Sequence, residues 1–188
     1  LNSAIAWSNF FGNDDKKFEI NSASLKKSCM NKISEAEERY SYVKSIVPLK
    51  LLDTRKELDR AYADLSNQSF ILCLYRASKA KASSDVILSV MGVDESKIDD
   101  VLDLKLGVVQ NELIRSQQRG IFPIIGYSYY EYAQSLRESD KSSALLFAEY
   151  ALELTNIDIY FGSRKSSFAL LEDSWYLFVL GMLLGMMV

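Results

Sequence analysis

An all-α, multi-helix bundle is the fold this sequence predicts, on three observations. Helix breakers are scarce: 188 residues include 8 glycines and 2 prolines, while 48% are hydrophobic. That balance favours long helices over a turn-rich sheet protein. Apolar residues recur at alternating steps of three and four over long stretches, the spacing of a helix face. One pair of such stretches, Tyr127–Tyr160, reads as an antiparallel, tetratricopeptide-like hairpin around which the rest packs. The expectation is about six or seven helices, two of them long. Residues 1–173 form the helical domain and 174–188 an apolar C-terminal helix.

In chain order, Asn2–Phe11 predicts a short helix and Gly12–Asp15 a turn. A long helix starts at Asn21 or Ser22, both good caps. Its seam is Cys29, Ile33, Ala36, Tyr40, Val43 and Val47, and Pro48 ends it. Thr54–Glu57 has a capping-box pattern. Leu51, Leu58, Tyr62, Leu65 and Leu72 continue a heptad-like seam. No Gly or Pro occurs from Leu49 to Met91, so this run could form one helix of ~60 Å. Its weakest point is Ser66–Ser69, and Gly92 stops it. Asp94 caps a helix carrying Ile98, Val101, Leu102, Val109 and Leu113, and Gly120 ends that one.

Pro123 suits the first turn of the hairpin. Ile125, Tyr129, Tyr132 and Leu136 mark the apolar face of its first helix. Ser139 and Asp140 supply a cap for its second. There Ala144, Ala148 and Ala151 form a small-residue seam beside an apolar face of Phe147, Tyr150, Leu154 and Ile157. Ser142, Glu149, Glu153 and Asn156 form the polar stripe. A helix apolar over most of its circumference belongs inside a bundle. Gly162-Ser163 breaks the chain, and a final helix runs from about Lys165.

Net charge is −3 with a pI near 5.1. No nucleic-acid partner is expected, because such binding needs a basic face. There is no histidine, which removes the commonest general base and zinc ligand. Cys29 and Cys73 cannot build a disulfide framework and read as small buried thiols, which leaves the redox compartment open.

Arg76, Lys79 and Lys81 are a small basic cluster, read as a solvated face. Glu35, Glu37, Glu38, Asp99, Asp100 and Asp103 are carboxylate-rich, but neighbours on a helix point apart and read as solvated. Ser78 and Lys81 lie mid-helix, without a loop or helix N-terminus to build an oxyanion hole. No Gly-rich phosphate loop, nucleophile elbow or Cys/His cluster occurs. The expectation is a chain without catalytic residues, metal or cofactor. The dense aromatics Tyr127, Tyr129 and Tyr130 are the candidate lining of a partner groove, set against a role in the core.

Tyr75–Val93, YRASKAKASSDVILSVMGV, together with EYAQSL (Glu131–Leu136) and SALLFAEYALELTNIDIYF (Ser143–Phe161), resembles the region that follows the protease domain in archaeal membrane-anchored Lon-like serine proteases. The resemblance covers nearly all of the chain. It implies a helical region with a protease domain upstream in the same polypeptide, and a role in positioning that domain or gathering substrate or subunits. The start at Leu1 fits a fragment of such a polypeptide. The family's catalytic serine and lysine have no counterpart here, so no catalytic residue is carried over. A tetratricopeptide-like adaptor that binds a peptide is the alternative.

Trp175–Val188, WYLFVLGMLLGMMV, carries no charge. It is shorter than the ~20 residues a span needs, and reads as the start of a truncated transmembrane helix. Trp175 and Tyr176 sit where aromatics anchor at an interface. Gly181 and Gly185 have the spacing that lets copies associate, which makes a homo-oligomer a candidate assembly. The expectation is membrane anchoring through this helix. The acidic Glu172 and Asp173 before it favour an extracytoplasmic soluble part. The opposing reading packs the segment on the bundle.

Overall fold

The computed structural model describes residues 21–47 and 51–156. Among them are six α-helices and no strand: α1 (Ser22–Ile46), α2 (Leu52–Ser66), α3 (Phe70–Val90), α4 (Ile98–Gln118), α5 (Ile124–Leu136) and α6 (Lys141–Thr155). A single 3-10 turn, Glu95–Lys97, leads into α4. The all-α bundle expected from the sequence is what the chain forms. Short connections make successive helices run in opposite directions.

α1 begins where its cap predicts, with the Asn21 side chain accepting from the Ser24 N–H at 2.7 Å. Its seam is buried at Cys29, Ile33, Ala36, Tyr40 and Val43. The run from Leu49 to Met91 is two helices. Gln68 turns the chain with φ of 61°, and the Ser69 N–H donates back to the Asp64 carbonyl at 2.8 Å. The break falls in the Ser66–Ser69 stretch singled out as weakest.

The predicted continuous seam is corrected on both sides of this turn, because α2 faces Ala61 rather than Tyr62 inward and α3 faces Cys73 rather than Leu72 inward. Leu51 and Leu58 are buried, but Tyr62 and Leu72 are exposed. The capping box is corrected too. α2 already starts at Leu52, and Thr54 is a buried residue inside it. Apart from Leu74, α3 buries small residues, namely Cys73, Ala77, Ser78, Ala80, Ala82 and Ser84. They let α1, α2 and α6 approach closely.

Gly92 and Gly120 both have positive φ, 75° and 76°, and terminate α3 and α4. In the hairpin, the Asp140 side chain caps α6 by accepting from the Ser143 N–H at 3.0 Å. The predicted face of α5 is off by one position. Gly126, Tyr130 and Ala133 are its buried residues, whereas Ile125 and Tyr132 are exposed. Gly126 holds its place on the inner face because α6 lies too close there for any side chain, while Tyr130 is accommodated one turn on.

α6 packs against α3, α4 and α5, with Ala144, Ala148 and Ala151 fully buried. The second hairpin helix is buried on most sides as expected, but the rest of the chain does not all pack around it: α1 and α2 pack on α3 instead. The largest core cluster joins Leu102, Leu106, Val109 and Leu113 of α4 to Tyr130 and Ala133 of α5 and to those alanines. Residues from Ile157 onward lie outside the described ones, as does Asn2–Phe11, where the sequence predicts a short helix.

Candidate functional site

Glu149 and Glu153 are one helical turn apart on α6, so they share a face. The sequence places them on the polar stripe of this helix. The structure turns that face inward: Glu149 is 2% exposed, and Glu153 is half-buried. Each finds cations on other helices. Lys105 of α4 donates to Glu149. Lys32 of α1 donates to Glu153 at 3.1 Å, and Lys81 of α3 donates to its other oxygen.

The array continues outward. Lys81 also donates to Asp85 at 3.0 Å, and Asp85 lies 3.3 Å from Arg39. Lys32 donates to Glu35 at 2.7 Å. Among the described residues, four lysine or arginine cations thus face four carboxylates. The array floors a cleft of about 410 Å³, with Val108 and Glu112 of α4 on one side and Lys32 and Glu35 of α1 on the other. No Cα of α1 comes within 8 Å of an α4 or α6 Cα. Long charged side chains bridge the gap.

The environment sets the charge state of these groups. Burial pushes the Glu149 carboxyl above the usual range, and the Lys105 ammonium partly offsets this. For Lys81 burial alone would favour the neutral amine, but the Glu153 and Asp85 carboxylates outweigh it and raise its pKa. Lys81 is therefore protonated at neutral pH and has no lone pair with which to act as a base. Ser78, three residues away, is fully buried, and its hydroxyl has no hydrogen-bond partner.

Of the other charged residues, Arg76, Lys79 and Glu37 are half-buried and engaged, which corrects their reading as solvated, whereas Glu38, Asp99, Asp100 and Asp103 are exposed as expected. Arg76 lies 2.8 Å from Asp64 and 3.4 Å from Glu57. The Lys79 ammonium stands 5.2 Å from the Tyr150 ring centre and 5.7 Å from that of Tyr75. Glu37 pairs with Arg55 at 2.8 Å, Asp99 with Lys141 at 2.7 Å and Asp103 with Arg137 at 2.7 Å. Arg76, Lys79 and Lys81 point at three different neighbourhoods. Among the described residues, no three His, Cys, Asp or Glu side chains are placed to hold a metal ion.

Tyr127, Tyr129 and Tyr130 meet different neighbours. Tyr127 packs on Phe122 with ring centres 5.4 Å apart. Tyr129 stacks on Phe147, and its hydroxyl shares a 2.6 Å hydrogen bond with that of Tyr75. Burial and that bond push the Tyr129 phenol well above its ordinary range. Tyr130 is in the core, and its hydroxyl accepts from Gln134. A separate apolar groove of about 740 Å³ lies at the Asn21 end of the bundle, between Leu25, Phe70, Leu72, Tyr75 and Ile125. Sequence reasoning missed it, although the exposed Ile71 and Leu72 beside the Ser66–Ser69 break were the available signal.

The cysteines are corrected as well. Cys29 and Cys73 are not thiols but a disulfide joining α1 to α3, with Cα atoms 5.8 Å apart. Each sits on a buried seam position, and only the parallel packing of α1 on α3 brings them together.

Trp175, Tyr176, Gly181 and Gly185 lie outside the described residues. Among those described, no helix is long and apolar enough to cross a membrane. No protein-family model, curated protein or solved structure matches this chain.

Proposed function

We propose that the chain is a non-catalytic helical module of a membrane-associated Lon-like serine protease, which positions the protease or gathers its substrate or subunits. The observation that carries this reading is the use made of the charged groups. In the cleft, lysines and carboxylates neutralise one another across four helices, an arrangement that fixes a scaffold and leaves Lys81 protonated. The resemblance of Tyr75–Val93 and Ser143–Phe161 to the helical region of such proteases supplies the assembly.

The test is co-purification of the chain with a separately expressed Lon-type protease domain, together with an assay of unfolded casein. The expected result is a complex in which the domain degrades casein faster, with no cleavage by the chain alone. Cleavage that survives repeated purification of the chain alone would overturn the reading.

A second reading, a peptide-binding adaptor, is favoured by the apolar groove between Leu25, Phe70 and Leu72. Its occupant would be an unfolded polypeptide segment rich in aliphatic side chains. Carboxymethylated lactalbumin is a suitable probe, and Leu72→Glu should abolish its binding.

A further inference from the structure

We propose that the outer face of α4 is a self-association surface, on which a second copy of this chain packs its own α4 antiparallel. α4 carries two seams with the alternating three–four spacing of paired helices. One is Leu102, Leu106, Val109 and Leu113, buried in the bundle. The other is Asp100, Leu104, Gly107, Asn111, Ile114 and Gln118, on the opposite side of the helix. Its aliphatic members face outward: Leu104 is 72% and Ile114 44% exposed, and Val108 beside them is 47% exposed.

Gly107 is the residue that the single chain leaves without a purpose. It stands inside a 21-residue helix, where glycine is a weaker helix former than alanine. Gly92 and Gly120 end helices through their positive φ, but Gly107 ends nothing. A Cβ there would meet nothing within 4 Å, so no neighbour in the fold excludes one. The missing side chain instead leaves a hollow of about 630 Å³ bordered by Asp100, Leu104, Val108 and Asn111. A second helix needs such a hollow to bring its backbone close.

Charge selects the occupant and its direction. The seam begins among Asp99, Asp100 and Asp103 and ends beside Arg115. Parallel copies would align carboxylate with carboxylate. Antiparallel copies set the acidic turn of each beside the Arg115 turn of the other, with opposed helix dipoles. With the twofold axis level with Val109, Gly107 of one copy lies level with Asn111 of the second copy, and Leu104 with Ile114. The hollow then receives an asparagine, a residue that fixes register in helix pairs. These charges have partners within the chain, Asp99 with Lys141, Asp100 with Lys97, Asp103 with Arg137 and Arg115 with Glu112. Such surface pairs are worth little and leave their charges available to a second copy.

Sedimentation equilibrium of the full chain, from about 1 to 200 µM, tests this. The parent should pass from monomer to dimer across that range. Gly107→Leu and Leu104→Glu should each weaken dimerisation at least about tenfold and keep the helical circular dichroism, since both positions face outward. Asp100→Arg and Arg115→Asp should each weaken it as well. The double reversal Asp100→Arg/Arg115→Asp should restore it, which the antiparallel arrangement alone allows. A parent that stays monomeric throughout, as when another segment of the chain covers α4, would overturn the proposal. So would a dimer that survives both Gly107→Leu and Leu104→Glu, or one lost only in Gly181→Leu/Gly185→Leu. A double reversal no tighter than the single ones would overturn the antiparallel pairing. If Leu104→Glu unfolds the chain, the face is packed within the monomer and the proposal also fails.

Discussion

Gly126 on α5 and Thr155 on α6 meet where no side chain fits between them. A Cβ on Gly126 would lie 2.9 Å from the Thr155 backbone nitrogen and would overlap its hydroxyl oxygen. That hydroxyl is itself fixed, donating to the Ala151 carbonyl at 2.7 Å. Gly126→Ala should therefore destabilise the chain by about 1–3 kcal/mol, the usual cost of overpacking. Urea unfolding measures it, and an unchanged midpoint would mean that the hairpin can spread.

The Lys105–Glu149 pair should show a double-mutant signature. Lys105→Met leaves the Glu149 carboxylate buried without its cation, at a cost of roughly 3 kcal/mol. Changing Glu149→Leu at the same time should recover most of that loss. A double variant as unstable as the sum of the single ones would show that the pair is not coupled.

Ala148 is fully buried in the α6 seam. Ala148→Glu should cost on the order of 4 kcal/mol or prevent folding, because the new carboxylate has neither space nor a partner there. Thermal melting that matches the parent would place the seam in solvent.

The pH dependence of the α6 cap can be read from Asp140. Hydrogen bonds from the Ser143 hydroxyl and backbone N–H hold its carboxyl below the usual range. A pKa lowered by folding adds stability above the unfolded value, and this is lost as pH falls through the folded value. Asp140→Ala should thus melt below the parent at neutral pH, and the gap should close as both are acidified past the ordinary carboxylate range. A gap that persists in strong acid would mean that charge on Asp140 plays no part.

Gln68 occupies the left-handed region with φ of 61°. Glycine adopts that conformation without the Cβ penalty, so Gln68→Gly should stabilise the chain by up to ~1 kcal/mol. A lower denaturation midpoint would show that the glutamine side chain contributes more than its backbone costs.

Much of the helical order was legible from single residues. Asn21, Gly92, Gly120 and Asp140 each act locally, through a cap or a positive φ, so their roles follow from chemical type. The seam of α1 was legible from its steps of three and four, and Ile33 of α1 and Leu58 of α2 are buried as predicted while Lys56 is exposed. Glu37 is half-buried because Arg55 draws it across to α2. What stayed hidden depended on which helices become neighbours. Glu149 and Glu153 have the spacing of any solvated stripe. Nothing local reveals that Lys105, Lys32 and Lys81 arrive from three other helices. Cys29 and Cys73 are likewise ordinary seam residues until α1 lies alongside α3. The inner face of α5 was misplaced because tyrosine outweighs glycine in an apolar count, although glycine permits the closer approach.

The Ala144–Ala148–Ala151 seam has one property that its tight packing conceals. A row of alanines is nearly featureless along the helix axis, so α6 could slide one turn, ~5.4 Å, and again set small residues against α3 and α5. The charged face removes that freedom. Such a slide in one direction would put Leu145 where Glu149 now meets Lys105, stranding an ammonium against hydrocarbon. The two glutamates thus act as the teeth of a ratchet. The alanines provide the closeness, and the carboxylates select one of the otherwise similar alignments.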